Sequence, residues 1–332
     1  MNLGIIGFGG VGKALIKLLV DKEKNLKKIG LDIKVKYIIK SNGGIYNKDG
    51  INLKDILENN YNLKNLGFSK AIKMNTIINN KDIDTLVELT STNIEDGEPG
   101  LTYIRTALEN NINVVTGNKG PILLKYKELK SIADKNKLTL GIGCTTGGAL
   151  PSINVGSFDI AGADIISIEG ILNGTSNYIL SKMYEEEIDY NEALNIAIDE
   201  GIAEKNYTLD VEGFDTASKI LILANTLMDA NLSLKDIEIQ GINNIKKEIL
   251  LQEKNMGRKI KLIGKAYKKN TRFKICVKPE IITNKHPLFY VDYKDKGVTY
   301  KTDTLGDISV IGGASGTINA AAAILRDIIN NK

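Results

Sequence analysis

The chain has 332 residues, 42% hydrophobic and 25% charged, and 44 Lys and Arg against 40 Asp and Glu leave a net charge of +4. That length predicts about two domains, and that balance excludes disordered and fibrous classes. One histidine, His286, and two cysteines, Cys144 and Cys276, exclude a histidine-based zinc site, a multi-cysteine cluster and a disulfide scaffold, so acid–base chemistry falls to Lys, Asp, Glu or Tyr.

Asn2–Ile6 reads as a short apolar strand that begins almost at the initiator Met and runs straight into a glycine loop. This leaves no room for a signal peptide, and no stretch approaches the roughly 18 apolar residues of a membrane span. A cytoplasmic protein is expected. The loop is Gly7-Phe8-Gly9-Gly10-Val11-Gly12, and Lys13–Leu19 then shows helical periodicity. Strand, G-x-G-x-x-G and helix in that order predict a dinucleotide cradle. Gly7 permits the tight turn, Gly9 lets the backbone approach a pyrophosphate, and Gly12 lets the helix pack close to the strand. The helix N-terminus attracts the phosphate charge. The alternative is a tight turn that binds nothing.

The second strand is Ile33–Ile39. An acid near its end would hold the ribose 2′-hydroxyl of NAD, but Ile39-Lys40-Ser41-Asn42-Gly43 contains none. Lys40 suits a 2′-phosphate, which predicts NADP in preference to NAD. The alternative is a solvated loop lysine. Thr85–Leu89 is the next strand, followed by Thr90-Ser91, a helix over Pro99–Glu109 and a strand over Ile112–Thr116. That strand ends in Gly117-Asn118-Lys119-Gly120-Pro121. Pro121 suits the first turn of a helix to Asn136, and Leu138–Ile142 follows as a strand. The alternation predicts an α/β, Rossmann-type, doubly wound parallel sheet with ligands at the carboxyl ends of its strands. Gly7–Gly12, Thr90, Ser91 and Lys119 all lie at such ends and should converge.

Gly141–Pro151 is a glycine-rich crossing whose carbonyls could hold a hard cation, or a plain hinge. A strand over Ile165–Leu172 leads through Asn173-Gly174 to a helix over Ser176–Glu187, which Thr175 or Ser176 can cap. The same loop could face a small substrate. The densest polar stretch, Glu200–Asp215, leads into a helix over Thr216–Met228. Asp215 and Lys219 share one face of that helix. Alone, such a pair is a surface salt bridge worth under about 1 kcal/mol. On a helix as apolar as Ala217, Ile220, Leu221, Ile222 and Leu223 it should face a pocket. With Glu204 and Asp210 it makes a carboxylate-rich site suited to an ammonium or hydroxyl group.

A charged segment, Asn243–Met256, precedes strands over Lys259–Tyr267, Phe273–Lys278 and Val298–Thr302. Ile308–Ile311, a second glycine turn (Gly312–Thr317) and an alanine-rich helix over Ile318–Ile329 end the chain, and the tail should return to the first domain. The expected division is 1–148 plus 305–332 for the dinucleotide domain, and 149–304 for a second, α+β domain. Only Arg105, Arg258, Arg272 and Arg326 are arginines, which argues against a DNA reader.

Across nearly its full length the chain resembles homoserine dehydrogenase, on Gly7–Gly12, Thr116–Pro121, Gly143–Pro151, Gly170–Leu180, Gly201–Lys219 and Gly312–Thr317. The resemblance implies reversible NAD(P)-dependent oxidation of L-homoserine to L-aspartate 4-semialdehyde, in threonine, methionine and isoleucine biosynthesis. It implies Lys219 as general acid/base, Asp215 beside it, and Lys119 near the nicotinamide and substrate. Glu204, Asp210, Asp215, Gly174 and Thr175 match substrate-binding positions. Gly201, Gly312 and Gly316 join the cofactor-binding set. The carbonyls of Gly143, Thr146, Gly148 and Leu150 match a sodium-type site, and a homodimer through the second domain is implied.

The sequence departs from the pattern in places. A common Ala-Glu-x-Asp-Pro is Ala203-Glu204-Lys205-Asn206-Tyr207, which loses an acid and a rigid proline. The last glycine motif is Gly312-Gly313-Ala314-Ser315-Gly316 where Gly-Pro-Gly-Ala-Gly is frequent. No residues remain for a regulatory ACT domain, so threonine feedback through one is not expected. Two rivals stay open: a dehydrogenase of another amino-acid aldehyde or hydroxyl, and a dinucleotide-sensing binding protein that has lost catalysis.

Overall fold

Strand β1 (Asn2–Ile6) is the axis of the first sheet, with Leu3 and Ile5 fully buried. In this computed structural model, which describes residues 1–203 and 206–331, β1 is followed by helix α1 (Gly10–Lys28), β2 (Lys34–Lys40) and β3 (Gly43–Tyr46). Then come α2 (Leu53–Glu58), α3 (Met74–Asn80), β4 (Thr85–Glu88), α4 (Gly100–Glu109), β5 (Asn113–Thr116), α5 (Lys119–Lys135) and β6 (Leu140–Gly141). The sheet order is β3-β2-β1-β4-β5-β6. All neighbours pair in parallel except the β2–β3 hairpin at one edge. Buried on both faces, its inner strands read as continuous apolar runs. The chain leaves β1 for β2 on one side and returns to β4 on the other, the switch point where such sheets bind ligands.

Two sequence expectations need adjusting here. The stretch after Lys40 is not only a loop: Gly43–Tyr46 turns back as strand β3, with Lys40 opposite Gly43. Helix α5 begins at Lys119 rather than Pro121, because the Asn118 side chain accepts from the Gly120 amide and caps it. Pro121 is tolerated because amides in a first helical turn have no helical partner.

After one-turn helices α6 (Cys144–Gly147) and α7 (Ser152–Asn154) come β7 (Ile165–Ile171), α8 (Gly174–Glu186), α9 (Tyr190–Asp199), α10 (Thr208–Val211) and α11 (Phe214–Leu227). Next are β8 (Glu238–Ile239), α12 (Lys247–Asn255), β9 (Lys259–Lys269), β10 (Arg272–Ile282), β11 (Lys296–Thr302), β12 (Asp307–Gly312) and α13 (Thr317–Asn330). The second sheet runs β12-β11-β7-β9-β10-β8 and is antiparallel except where β8 joins β10. Strand β10 continues through Pro279, past the expected end at Lys278. Proline fits there because β8 pairs only with Cys276 and Val277, so beyond them β10 is an edge. Ile171, Ile263, Ile282, Leu288, Phe289 and Val291 form a small core of their own.

The chain divides into two compact units, Met1–Thr145 with Gly316–Lys332, and Thr146–Ser315. Helix α13 places Ala321, Ile324, Leu325 and Ile328 in the same core as Leu3, Ile5, Leu15 and Ile16. Residues 305–315, expected in the first domain, belong instead to the second. The reason is β12, whose Asp307–Gly312 pair antiparallel with Lys296–Lys301 of β11. Among the described residues no helix is long and apolar enough to cross a membrane.

Candidate functional site

The glycine loop follows β1 directly, and its three motif glycines have different physical causes. Gly7 sits at φ +96°, its amide bonds the Ile39 carbonyl at 3.0 Å, and a Cβ there would fall 2.3 Å from the Leu89 backbone. A Cβ on Gly12 would lie 2.6 Å from the Gly7 carbonyl oxygen. Packing therefore demands both glycines. A Cβ on Gly9 would meet nothing within 4 Å, so there the missing side chain leaves space beside the start of α1. That end carries no acidic residue in its first turn and no side-chain cap, so its amides suit a phosphate. The cradle fits a dinucleotide.

Phe8 was expected among the cofactor residues, but its ring is 6% exposed in the first core, so only its backbone is available to a ligand. Val11 is half-buried, Gly10 is exposed, and Lys40 is exposed at the end of β2 beside Ile39. Thr90 follows β4, but its amide donates to Glu88 at 2.8 Å and its hydroxyl donates to the same carboxylate. Ser91 is exposed. Lys119 is half-buried at the first position of α5.

Sequence reasoning missed Glu88. It is fully buried, accepts from the Thr116 hydroxyl at 2.7 Å and from the Asn118 amide at 3.4 Å, and so ties the loops after β4 and β5 together. The available signal was an acid ending an otherwise apolar strand at the ligand-binding edge.

In the second unit, a polar cluster forms where β7 runs into α8. Asn173, rather than Thr175 or Ser176, caps α8: its Oδ1 accepts from the Ser176 amide at 2.8 Å. Its Nδ2 donates to Asp210 Oδ1 at 2.6 Å and to Asp215 Oδ2 at 2.9 Å. One amide thus bridges two carboxylates. Lys219 Nζ donates to Asp215 Oδ2 at 2.5 Å and to the Leu172 carbonyl at 2.8 Å. Their side chains are 16% and 13% exposed, so this is no surface pair. Burial, reinforced by Asp215, pushes the Asp210 carboxyl above its usual range. Gly174 is the first residue of α8, and the Thr175 hydroxyl donates to the Ile202 carbonyl at 3.3 Å. Glu204 lies outside the described residues. Gly201 turns at φ +67° after α9, and Gly312 and Gly316 have φ of +126° and +125°.

Gly143 donates its amide to Asp327 at 2.7 Å in the first unit, while Thr146, Gly148 and Leu150 belong to the second. The Leu150 carbonyl accepts from the Ser152 amide at 2.8 Å and keeps one lone pair. Among the described residues no group of three or more His, Cys, Asp or Glu could hold a metal. His286 pairs with Glu169 at 3.2 Å, and burial pushes the Cys144 thiol up to about 11. A cavity of about 370 Å³ beside α1, lined by Leu19, Leu26, Leu31 and Ile51, lies at the amino end of β2.

A dinucleotide cradle on a doubly wound sheet, with a lysine–carboxylate cluster in a second unit, defines an oxidoreductase of the Rossmann class. The homoserine dehydrogenase family model matches residues 151–329. A homoserine dehydrogenase of Methanocaldococcus jannaschii is 39% identical over 99% of this chain and 98% of its own length. An NAD(+)-dependent homoserine dehydrogenase of Pseudomonas canavaninivorans is 32% identical over 99% and 95%. The crystal structure of a putative homoserine dehydrogenase from Archaeoglobus fulgidus superposes with a TM-score of 0.87 at 33% identity, covering 99% of this chain and 98% of that one. The chain belongs to the homoserine dehydrogenase family.

Proposed function

We propose that the chain catalyses the reversible oxidation of L-homoserine to L-aspartate 4-semialdehyde in the cytoplasm, as a step in threonine, methionine and isoleucine biosynthesis. The observation that carries the reading is the fixed direction of Lys219. Two of the tetrahedral positions around its Nζ are taken by Asp215 and the Leu172 carbonyl, which leaves one for a substrate hydroxyl. Bound nicotinamide supplies the hydride acceptor. Lys219 in its neutral form takes the hydroxyl proton on its free lone pair as the hydride leaves the carbinol carbon, and returns it in the reverse direction. Asp210 and Asp215, held by Asn173, receive the substrate ammonium, with Glu204, Gly174 and Thr175 assigned beside them from the family resemblance. Lys119 is assigned on the same basis to the nicotinamide end.

NADP is the preferred cofactor in this reading and NAD the lesser one, because no acid follows Ile39 and exposed Lys40 suits a 2′-phosphate. The backbone of Gly7, Phe8, Gly9, Gly10, Val11 and Gly12 holds the pyrophosphate, with Thr90, Ser91, Gly201, Gly312 and Gly316 as further cofactor positions. The carbonyls of Gly143, Thr146, Gly148 and Leu150 take a sodium ion. The second unit mediates a homodimer. Absorbance at 340 nm with homoserine and each cofactor in turn tests the activity. Turnover should be faster with NADP and faster at alkaline pH. NADPH binding with no turnover by either cofactor would overturn the reading and favour a sensor.

A further inference from the structure

The polar cluster of the second unit holds a cation that neither the motif nor the acid–base chemistry uses. Lys296 opens β11 and is 5% exposed. Its neighbour Gly297 stands opposite Ile171, which places Lys296 beside the Leu172–Asn173 end of β7. That is the segment whose Leu172 carbonyl receives Lys219 and whose Asn173 bridges the two aspartates. Lys296 Nζ donates to the Ser315 hydroxyl at 2.8 Å, and among the described residues it makes no ion pair.

An ammonium buried with a neutral hydroxyl and no carboxylate is costly to fold. The neighbouring buried lysines show the usual remedy. Lys259 and Lys261 both reach Asp292 at 2.7 Å. Asp215, the nearest acid to Lys296 on α11, is already engaged by Lys219 and Asn173. A buried cation with no carboxylate partner, beside the Asn173 segment that bridges two carboxylates, is the complement of a zwitterion.

Resting on the amino-alcohol reading of this cluster, we propose that Lys296 binds the α-carboxylate of the substrate, and so selects amino acids over simple amino alcohols. The two aspartates and Lys296 then fix both charged ends of one molecule, which orients its terminal hydroxyl toward Lys219. Ser315 holds Lys296 in place between turnovers. Burial, and the positive charge of Lys219 nearby, bring the Lys296 ammonium down to about 8, against the opposing pull of Asp215 and Asp295. Carboxylate binding should therefore weaken as pH rises through that region.

The test is steady-state kinetics on the full chain with Lys296→Met and Lys296→Arg. 3-Aminopropan-1-ol, homoserine without its carboxylate, serves as a competitive inhibitor. Loss of one charge-assisted contact should raise the homoserine KM by on the order of tenfold or more in Lys296→Met, with kcat within about threefold. The inhibition constant of the amino alcohol should move less than about threefold, because it never reached Lys296. Lys296→Arg should recover most of the KM, and the alkaline rise in KM should vanish in Lys296→Met. An unchanged homoserine KM, equal weakening of homoserine and the amino alcohol, or a retained alkaline rise would each overturn the assignment. Absence of homoserine turnover in the unmodified chain would instead overturn the activity reading, and the two failures are thereby separate.

Discussion

Lys219 and Asp215, one turn apart on α11, share a 2.5 Å hydrogen bond in a largely buried setting. Asp215 Oδ2 and the Leu172 carbonyl both accept from Lys219 Nζ, so Asp215 acts on the direction in which the lysine points. Replacing Lys219 with Ala removes the proton acceptor and leaves the dinucleotide cradle untouched. The expected outcome is a kcat loss of roughly 10²–10⁴ with NADPH affinity retained, read by stopped assays and by NADPH fluorescence titration. Near-normal turnover would remove Lys219 from the mechanism.

Asn173 joins stability to binding. Its Oδ1 caps α8 and its Nδ2 separates two like charges. Asn173→Ala should cost about 1 kcal/mol for the cap and lower the melting temperature by about 2–4 °C. The homoserine KM should rise as well, because Asp210 and Asp215 lose their common donor. Asn173→Asp keeps a capping oxygen but adds a third carboxylate. It should preserve more of the melting temperature while impairing activity more than Asn173→Ala. Calorimetry and kinetics on the same preparations separate the two roles.

What could be read from the chain follows the range of the interactions. The strand, glycine loop and helix were legible because the forces that place Gly7 and Gly12 act within a few residues. Asp215 and Lys219 were legible because helical geometry puts positions four apart on one face. Asn173 was hidden: its partners are 37 and 42 residues away, and a nearby Thr and Ser offer more obvious caps. Lys296 was hidden too, in a charged stretch from Asp292 to Lys296 that looks like a solvated loop until β11 pairs with β7. The domain boundary near residue 305 failed for a related reason. Ile308–Ile311 is as compatible with one sheet as with the other, and only its pairing with β11 decides.

The glycine loop allows a clean separation of folding from binding. A Cβ on Gly12 would press on the Gly7 carbonyl at 2.6 Å, whereas one on Gly9 would stand in open space. Gly12→Ala should lower the melting temperature and weaken NADPH binding through distortion of the loop. Gly9→Ala should melt with the unmodified chain and still bind NADPH at least tenfold more weakly, by on the order of 1.4 kcal/mol. Equal NADPH affinity in Gly9→Ala would show that the pyrophosphate does not approach at Gly9.

Glu88 links the loops after β4 and β5 from beneath. Glu88→Gln keeps the shape but replaces one acceptor oxygen by a donor facing Thr and Asn donors. Loss of hydrogen bonds to a buried charge should cost about 1.5–3 kcal/mol in stability. The cofactor dissociation constant should rise with it, since Thr90 and the Asn118–Lys119 turn lose their common anchor. Thermal melting and NADPH titration check both, and a destabilised variant with unchanged NADPH affinity would limit Glu88 to a structural role.

Glu169 sets an acid limit on stability. It sits on β7 between His286 at 3.2 Å and Lys265 at 2.5 Å, and these partners hold its carboxyl down at about 2 against an ordinary value of 4.5. The folded chain therefore takes up this proton only near pH 2, while the unfolded chain takes it up near pH 4.5. Between those values the unfolded state binds more protons, so the stabilisation from Glu169 is complete above about pH 4.5 and is lost as pH falls toward 2. Glu169→Gln should lower the melting temperature at pH 7 by a few degrees, and the gap should close as pH is lowered through 4 and 3. Melting curves from pH 7 to 3 on both chains give the comparison. A constant gap across that range would mean that the ion pairs to Lys265 and His286 contribute nothing to folding.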